Sequence, residues 1–275
     1  MKPIQRTLSV AIGIVVMVVP LLAQSQAPAG GSAGALGPVD ALGQQVQRTP
    51  APTGPAPRLP DGTIDLGDGI WIGPTGSVAQ GLPRGESLPL LPAARALMAE
   101  RAKRPTDDPH LWCMPMGVPR ETVYPFRFVQ NYTHKKPTHL FILHEGNIHS
   151  YRQIFMDGRT HPAELDPTWF GHSIGWYDKD TLVIDTIGFN DKFWFDRDGT
   201  PHTEQLHTIE RWTRVDMGRL VNDVTIDDPG TFSRPFTVTF NARLSPPGDE
   251  LMEYICQENN QFGIAGGHNN PFTGP

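Results

Sequence analysis

Short segments of alternating apolar and polar residues follow one another along most of the chain. Residues 236–244 show this most clearly, because Phe236, Val238 and Leu244 share one face while Thr237 and Thr239 take the other. Similar segments recur between turn residues at 69–73, 126–131, 138–144, 148–156, 172–177, 181–187, 206–215, 220–226 and 251–257. This spacing predicts a mainly β domain, an antiparallel β-barrel or curled sandwich of about nine or ten strands.

One helix and one tight hairpin complete the predicted fold. Residues 90–102 are rich in helix formers, Pro92 suits a first helical turn, and Asp107-Asp108-Pro109 ends the segment. Asp157-Gly158 is a dipeptide typical of two-residue hairpin turns. Gly69-Ile70-Trp71 resembles the Gly-x-Trp that opens lipocalin barrels. We therefore expect a barrel that is lipocalin-like in outline, with a helix inserted near its N-terminus.

The first 25 residues have the layout of a cleavable signal peptide. Lys2 and Arg6 form a short basic region, and a mostly apolar run follows from residue 8 to residue 22. Small residues at Ala23 and Ser25 then provide a cleavage site. The run is shorter than the ~20 apolar residues that span a bilayer, and Pro20 interrupts its end. We therefore expect a secreted or periplasmic protein with no membrane span after cleavage.

The composition of the remaining chain divides it into three parts. Residues 26–60 are mostly Ala, Gly, Pro, Gln and Ser, which cannot bury enough apolar surface to fold, so we expect a disordered leader. Residues 61–265 form the single β-rich domain, and residues 266–275 a flexible tail. After signal cleavage the chain keeps 21 basic and 29 acidic residues. Such an acidic chain, without a long basic stretch, is a poor match for nucleic acid.

Cys113 and Cys256 are the only cysteines. Export would carry both into an oxidising compartment, so a disulfide between them is expected. The chain-entropy model gives about 5 kcal/mol of stabilisation for so long a loop. A thiolate nucleophile or metal ligand is the alternative, which the wide spacing disfavours.

Charged and histidine residues crowd the predicted strands between residues 149 and 228. Several occupy positions where the alternation calls for an apolar side chain, as Arg152 does beside Ile154 and Asp185 does between Val183 and Ile187. A charge that points into a closed barrel is costly unless it is paired. Two interpretations remain open. Either these charges neutralise one another in a packing network, or they line a cavity that holds a ligand.

The functional interpretation assigns acid–base chemistry to this segment. In it, His172 or His207 acts as the base, Asp185 orients it, and Arg152 or Arg211 holds an anion or a developing oxyanion. The candidate catalytic residues are His172, Asp185, His207, Arg152, Arg211 and Glu210. The candidate substrate-binding residues are His149, Arg159, His161, Trp176, Asn190, Asp191 and His202.

Metal and serine chemistry are weaker alternatives. Zinc or copper could be held by three imidazoles drawn from His149, His161, His172 and His207, but no pair has the His-x-His spacing that places two ligands on one strand face. We therefore predict no cofactor. Gly171-His172-Ser173-Ile174-Gly175 matches the Gly-x-Ser-x-Gly of a nucleophile elbow, which needs a strand-to-helix turn. Both flanks of this segment are predicted to be strands.

Several longer motifs resemble those of an uncharacterised family of secreted bacterial β-rich proteins. They cover residues 156–162, 167–175, 180–191, 206–211 and 225–229. Residues 61–71 are similar to that family's opening Gly-x-Pro-Asp-Leu-x-Gly-x-Trp, but Ile64 replaces the proline and one extra residue precedes Gly69. The resemblance implies no particular activity.

Three functions are therefore compatible with the sequence. We favour an exported small-molecule enzyme of the lyase, isomerase or hydrolase type, which uses His, Asp and Arg in a polar-lined barrel pocket. The second is a periplasmic carrier that binds a small ligand, as barrels often do. The third is a structural envelope protein whose charges only pair with one another.

Overall fold

The computed structural model describes residues 50–67, 69–73, 77–133, 136–146 and 150–256. The signal peptide, most of the predicted leader, the tail 266–275 and His149 lie outside the described residues. In the described part of the chain, nine strands form one closed barrel in which each strand pairs with the next and β9 pairs with β1. The strands are β1 Trp71–Ile72, β2 Phe126–Thr133, β3 Lys136–His144, β4 Tyr151–Phe155, β5 His172–Asp178, β6 Thr181–Ile187, β7 His207–Arg214, β8 Arg219–Asp227 and β9 Phe236–Leu244.

The predicted barrel is confirmed, with one change in strand direction. β4 and β5 pair in parallel, with Ile154 opposite Ser173, whereas the other neighbouring strands pair antiparallel. The chain does turn at Asp157-Gly158, where Gly158 has a φ of 80°, but the predicted hairpin is wrong. Residues 156–171 instead cross back to the opposite end of the barrel, because a parallel pair needs a connection of a dozen or more residues.

The predicted helix is confirmed as α1, Pro92–Ala102, with Pro92 in its first turn. The described residues contain no helix that is both long enough and apolar enough to cross a membrane. The disulfide between Cys113 and Cys256 is also confirmed. Residues 251–256, predicted to be a strand, form none.

Part of the predicted leader packs against the barrel. The carbonyl of Gly54 accepts a hydrogen bond from the Met217 amide at 2.9 Å. Arg58 forms an ion pair with Asp180, and Ala56 contacts the apolar core. These contacts place residues 50–60 with the folded domain rather than with a free leader.

Alternation along each strand gives the sheet an inward and an outward face. Large apolar side chains fill one part of the interior, among them Trp71, Phe126 and Trp212. Of the charged residues expected inside, Arg152 and Glu210 do point inward and are buried. Four others lie on the outward face, namely His172, Asp185, His207 and Arg211. The expectation that all of these charged residues share the interior is therefore wrong. Alternation identifies residues that share a face, but not which face is inside.

Candidate functional site

Three strand ends bring His172, Asp185 and His207 together on the outward face. β5 begins at His172, which lies opposite Ile187 near the end of β6. β7 begins at His207, which lies opposite Asp227 at the end of β8. Because β6 runs antiparallel to both β5 and β7, these ends meet at one end of the barrel.

The crossover segment adds a third imidazole to this group. His161 Nδ1 lies 2.8 Å from His172 Nδ1, and His161 Nε2 lies 3.2 Å from Asp185 Oδ1. The same carboxylate oxygen lies 2.8 Å from His207 Nε2. His161, His172, Asp185 and His207 therefore form one continuous chain of hydrogen bonds, which we call the histidine–aspartate cluster.

The carboxylate of Asp185 sets one proton position on His161 and one on His207, and a neutral His161 sets the next. A carboxylate only accepts hydrogen bonds, so both His161 Nε2 and His207 Nε2 donate to Asp185. A neutral His161 then accepts at Nδ1, and the donor is His172 Nδ1. This arrangement leaves His172 Nε2 with a lone pair. It also leaves His207 Nδ1 outside the chain of hydrogen bonds.

The environments of the two terminal histidines shift their pKa values in opposite directions. The hydrogen bond from His207 to Asp185 raises the pKa of His207, and the charges of Asp185 and Asp227 act in the same direction against the effect of burial. Burial lowers the pKa of His172, with help from His161 and Arg159. Burial alone would raise the pKa of Asp185, but the hydrogen bonds and charges of His207 and His161 hold it below its usual value.

A stack of side chains borders the cluster. The Phe155 ring packs on His172 with 5.0 Å between ring centroids. The guanidinium of Arg159 lies 3.9 Å above the same Phe155 ring, and Asp157 pairs with this guanidinium. Arg159 therefore places a positive charge close to His172, and Asp157 partly neutralises it.

Arg152 and Glu210 are close to the cluster in sequence but lie on the other face of the sheet. They form a fully buried ion pair with 2.7 Å between Arg152 Nη1 and Glu210 Oε2. Arg152 Nη2 also donates to Ser173 Oγ and Thr186 Oγ1. Since the sheet separates them from His172 and Asp185, they cannot contact a substrate that is bound at the cluster.

Arg211 and Trp176 share the outward face with the cluster. Arg211 pairs with Asp178 at 2.8 Å, in an exposed ion pair. Trp176 is 46% exposed and lies on the same strand as His172. Both are therefore open to a ligand that extends from the cluster along β5 and β7.

The remaining predicted residues lie elsewhere. Asn190 is buried and accepts a hydrogen bond from the Lys192 amide, which stabilises a turn. Asp191 is exposed. His202 packs against Phe193, and its Nε2 forms a hydrogen bond with the Phe193 carbonyl. Burial lowers the pKa of His202 to about 4. These contacts give His202 a packing role.

Two buried residues were not among the predicted site residues. His144 ends β3 on the same face as the core residue Ile142, so alternation alone could have placed it inside the barrel. Glu121 lies in the 3-10 helix Arg120–Val123, which no periodic pattern marked. Its carboxylate accepts hydrogen bonds from Ser150 Oγ and the Met116 amide.

The alternative chemistries can be compared with this geometry. Within the described ranges, no group of three or more His, Cys, Asp or Glu residues is arranged to hold a metal ion. Both nitrogens of His161 are engaged, one by His172 and one by Asp185. Ser173 lies within β5 with its hydroxyl on Arg152 and Thr186, so it does not occupy a strand-to-helix elbow.

Comparison with family models, with curated proteins and with solved structures finds no match to this chain.

Proposed function

We propose that this chain is an exported enzyme that transfers protons to and from a small molecule at the histidine–aspartate cluster. The main support for this proposal is the unbroken chain of hydrogen bonds from His172 through His161 and Asp185 to His207. Its outer members are open to solvent, since the His207 side chain is 37% exposed. The reaction class is that of a lyase, isomerase or hydrolase that needs no cofactor.

In this proposal His172 is the general base. Its lowered pKa keeps the imidazole neutral near pH 7, and its Nδ1 proton is committed to His161. The Nε2 lone pair therefore remains for a substrate proton. Phe155, stacked on the ring, helps to fix its orientation.

His207 is the general acid. Its raised pKa favours the imidazolium, and Asp185 holds the Nε2 proton. The Nδ1 proton is then the one that can be donated to a leaving group or a developing carbanion. Two groups whose surroundings push their pKa values apart are a recurrent arrangement for an acid and a base in one site.

The spacing of the strands limits the substrate. β5 and β7 are separated by β6 alone, so their backbones lie about 10 Å apart at ~4.8 Å per strand pair. A small molecule that lies across β6 reaches both histidines. Arg159 borders the base side and is positioned to contact an anionic substituent.

The export part of the proposal rests on the sequence of residues 1–25. The Cys113–Cys256 disulfide supports it, because disulfides persist mainly in oxidising compartments.

The test is a screen that reports proton transfer whatever the substrate. The protein is incubated with pools of small polar metabolites in D₂O, and NMR detects deuterium incorporation, elimination, isomerisation or hydrolysis. For a converted compound, we expect His172→Gln and His207→Gln each to lower kcat at least about 100-fold, since general acid–base catalysis contributes 10²–10⁴-fold.

Asp180→Asn is the control. Asp180 lies in the turn between β5 and β6, at the opposite end of these strands from the cluster, where it pairs with Arg58. We expect this variant to keep wild-type turnover. Compounds that bind without ever being converted would support the carrier instead, and full turnover by both cluster variants would exclude these catalytic roles.

A further inference from the structure

The interior of the barrel contains a closed ring of six side chains. Arg152 pairs with Glu210 at 2.7 Å, and Asn222 Nδ2 donates to Glu210 Oε1 at 3.3 Å. Asn222 lies opposite Trp212 in the β7–β8 register. The ring closes through Phe126, whose centroid is 5.6 Å from the Trp212 ring and 6.3 Å from that of His144.

His144 completes this interior ring beside Arg152. β3 and β4 are neighbours, with Ile142 opposite Arg152 and the His144 amide bonded to the Ser150 carbonyl. The interior ring therefore consists of Phe126, His144, Arg152, Glu210, Trp212 and Asn222. All six side chains are almost completely buried.

Besides Arg152 Nη1 and Glu210 Oε2, which pair with each other, five polar atoms of the interior ring have no hydrogen-bond partner in the described part of the chain. They are both ring nitrogens of His144, Arg152 Nε, Trp212 Nε1 and Asn222 Oδ1. Each would bond water in the unfolded chain, so leaving it buried and unpartnered opposes folding. These five atoms belong to four neighbouring residues of the interior ring, so a molecule bound among them would satisfy several of them at once.

We propose that the interior ring is a buried binding site for a small neutral molecule that both donates and accepts hydrogen bonds. Water is the smallest member of this class, and a small amide is the next. The site lies on the other face of the sheet from the histidine–aspartate cluster and does not depend on the function proposed there.

The chemistry of the ring defines this class of ligand. Arg152 and Glu210 neutralise each other, so the ring offers no net charge to an ion. Arg152 Nε and Trp212 Nε1 are donors, Asn222 Oδ1 is an acceptor, and a neutral His144 supplies one of each.

Magnetic relaxation dispersion of water ²H and ¹⁷O tests whether water occupies the interior ring, because it detects buried water molecules of long residence. We expect a long-lived signal from the oxidised wild-type protein and a smaller signal from Asn222→Leu and Trp212→Phe. Each change removes one of the five unpartnered atoms, and Asn222→Leu also removes the Nδ2 that donates to Glu210. Asn241→Leu, the same change on the exposed outward face of β9, is the control and should match wild type.

Formamide and acetamide test whether a small amide occupies the interior ring. If an amide occupies the ring, increasing amide should raise the Tm of wild type but not of Trp212→Phe, and should displace the long-lived water signal. The Trp212→Phe variant keeps an aromatic ring, so it remains informative if Asn222→Leu does not fold.

Two results would overturn the proposal. One is a wild-type protein with neither long-lived water nor an amide-dependent rise in Tm. The other is a water signal that both ring variants retain in full. In either case the five atoms would simply be unsatisfied in the folded protein.

Discussion

The two faces of the sheet formed by β4 to β7 carry the same kinds of residue in opposite physical states. On the outward face, Asp185 accepts from two histidines in a cluster that solvent reaches. On the inward face, Arg152 and Glu210 form an ion pair that is at most 1% exposed. Neighbours in sequence, such as Asp185 and Thr186, belong to different faces.

Exposure, rather than residue type, separates the roles of these two groups. A partly exposed carboxylate can hold two imidazoles and still exchange protons with a bound molecule. A completely buried charge must keep its partner, because separating the pair leaves an uncompensated charge in a medium of low polarity. This difference in exposure supports the two proposals, proton transfer on the outward face and small-molecule binding on the inward face.

The largest expected difference between the faces is the cost of removing one charge from each ion pair. Glu210→Gln leaves the Arg152 charge buried without a counter-charge, and we expect it to lower the free energy of unfolding by about 3–5 kcal/mol. Urea denaturation followed by fluorescence measures this value.

Asp178→Asn is the matched change on the outward face, where it breaks the exposed pair with Arg211. We expect it to lower the free energy of unfolding far less than Glu210→Gln does, since solvent screens such pairs. Equal losses in the two variants would contradict the contrast between the faces.

Local sequence pattern predicted the strands but not how all of them pair. The alternation of Phe236, Val238 and Leu244 with polar residues predicts a strand with one buried face, and β9 is such a strand. Asp157-Gly158 fits a hairpin and a crossover turn equally well, and the parallel partner of β4 depends on distant contacts such as Ile154 with Ser173. A tenth strand at residues 251–257 would need a free edge, which the pairing of β1 with β9 removes.

The candidate site could be predicted only in part, for a related reason. Alternation showed that Asp185 shares a face with Val183 and Ile187, but the identity of the inside face depends on closure of the whole barrel. The contribution of His161 depends on the path of the crossover segment, which has no periodic pattern.

The buried carboxyl of Glu121 makes the free energy of unfolding depend on pH. Burial raises the pKa of Glu121 to about 7, against the hydrogen bonds from Ser150 and Met116. Between pH 4.5 and 7 the unfolded carboxyl loses its proton while the folded one keeps it. Stability from this group is therefore complete at low pH and falls as pH rises, by roughly 3 kcal/mol over the window.

Glu121→Gln should remove this slope. The difference in unfolding free energy between wild type and variant should shift by roughly 3 kcal/mol in favour of the variant from pH 4 to pH 8. Denaturation at several pH values checks it. The effects of buried His144 and His202, which destabilise the fold as pH falls, are common to both proteins and cancel. A pH-independent difference would show that Glu121 ionises normally.

The smallest expected effect is on the outward face, where Asp185→Asn should lower the pKa of His207. Wild-type His207 has a raised pKa, so the stability from its bond to Asp185 is present below the unfolded pKa and is lost as pH rises through the folded value. Because His207 is partly exposed, we expect Asp185→Asn to lower the free energy of unfolding by less than about 1 kcal/mol at pH 6. NMR titration of the histidine Cε1 protons measures the pKa directly.

The same spectra contain an internal reference from the inward face. Burial and the charge of Arg152 lower the pKa of His144 to about 3, so its resonances should stay constant between pH 4.5 and 8 while those of His207 move. A His207 pKa that Asp185→Asn leaves unchanged would remove the carboxylate from its assigned role. A His144 that titrates in this range would mean that the interior ring admits a charge, and the inward face would then be open to proton transfer as well.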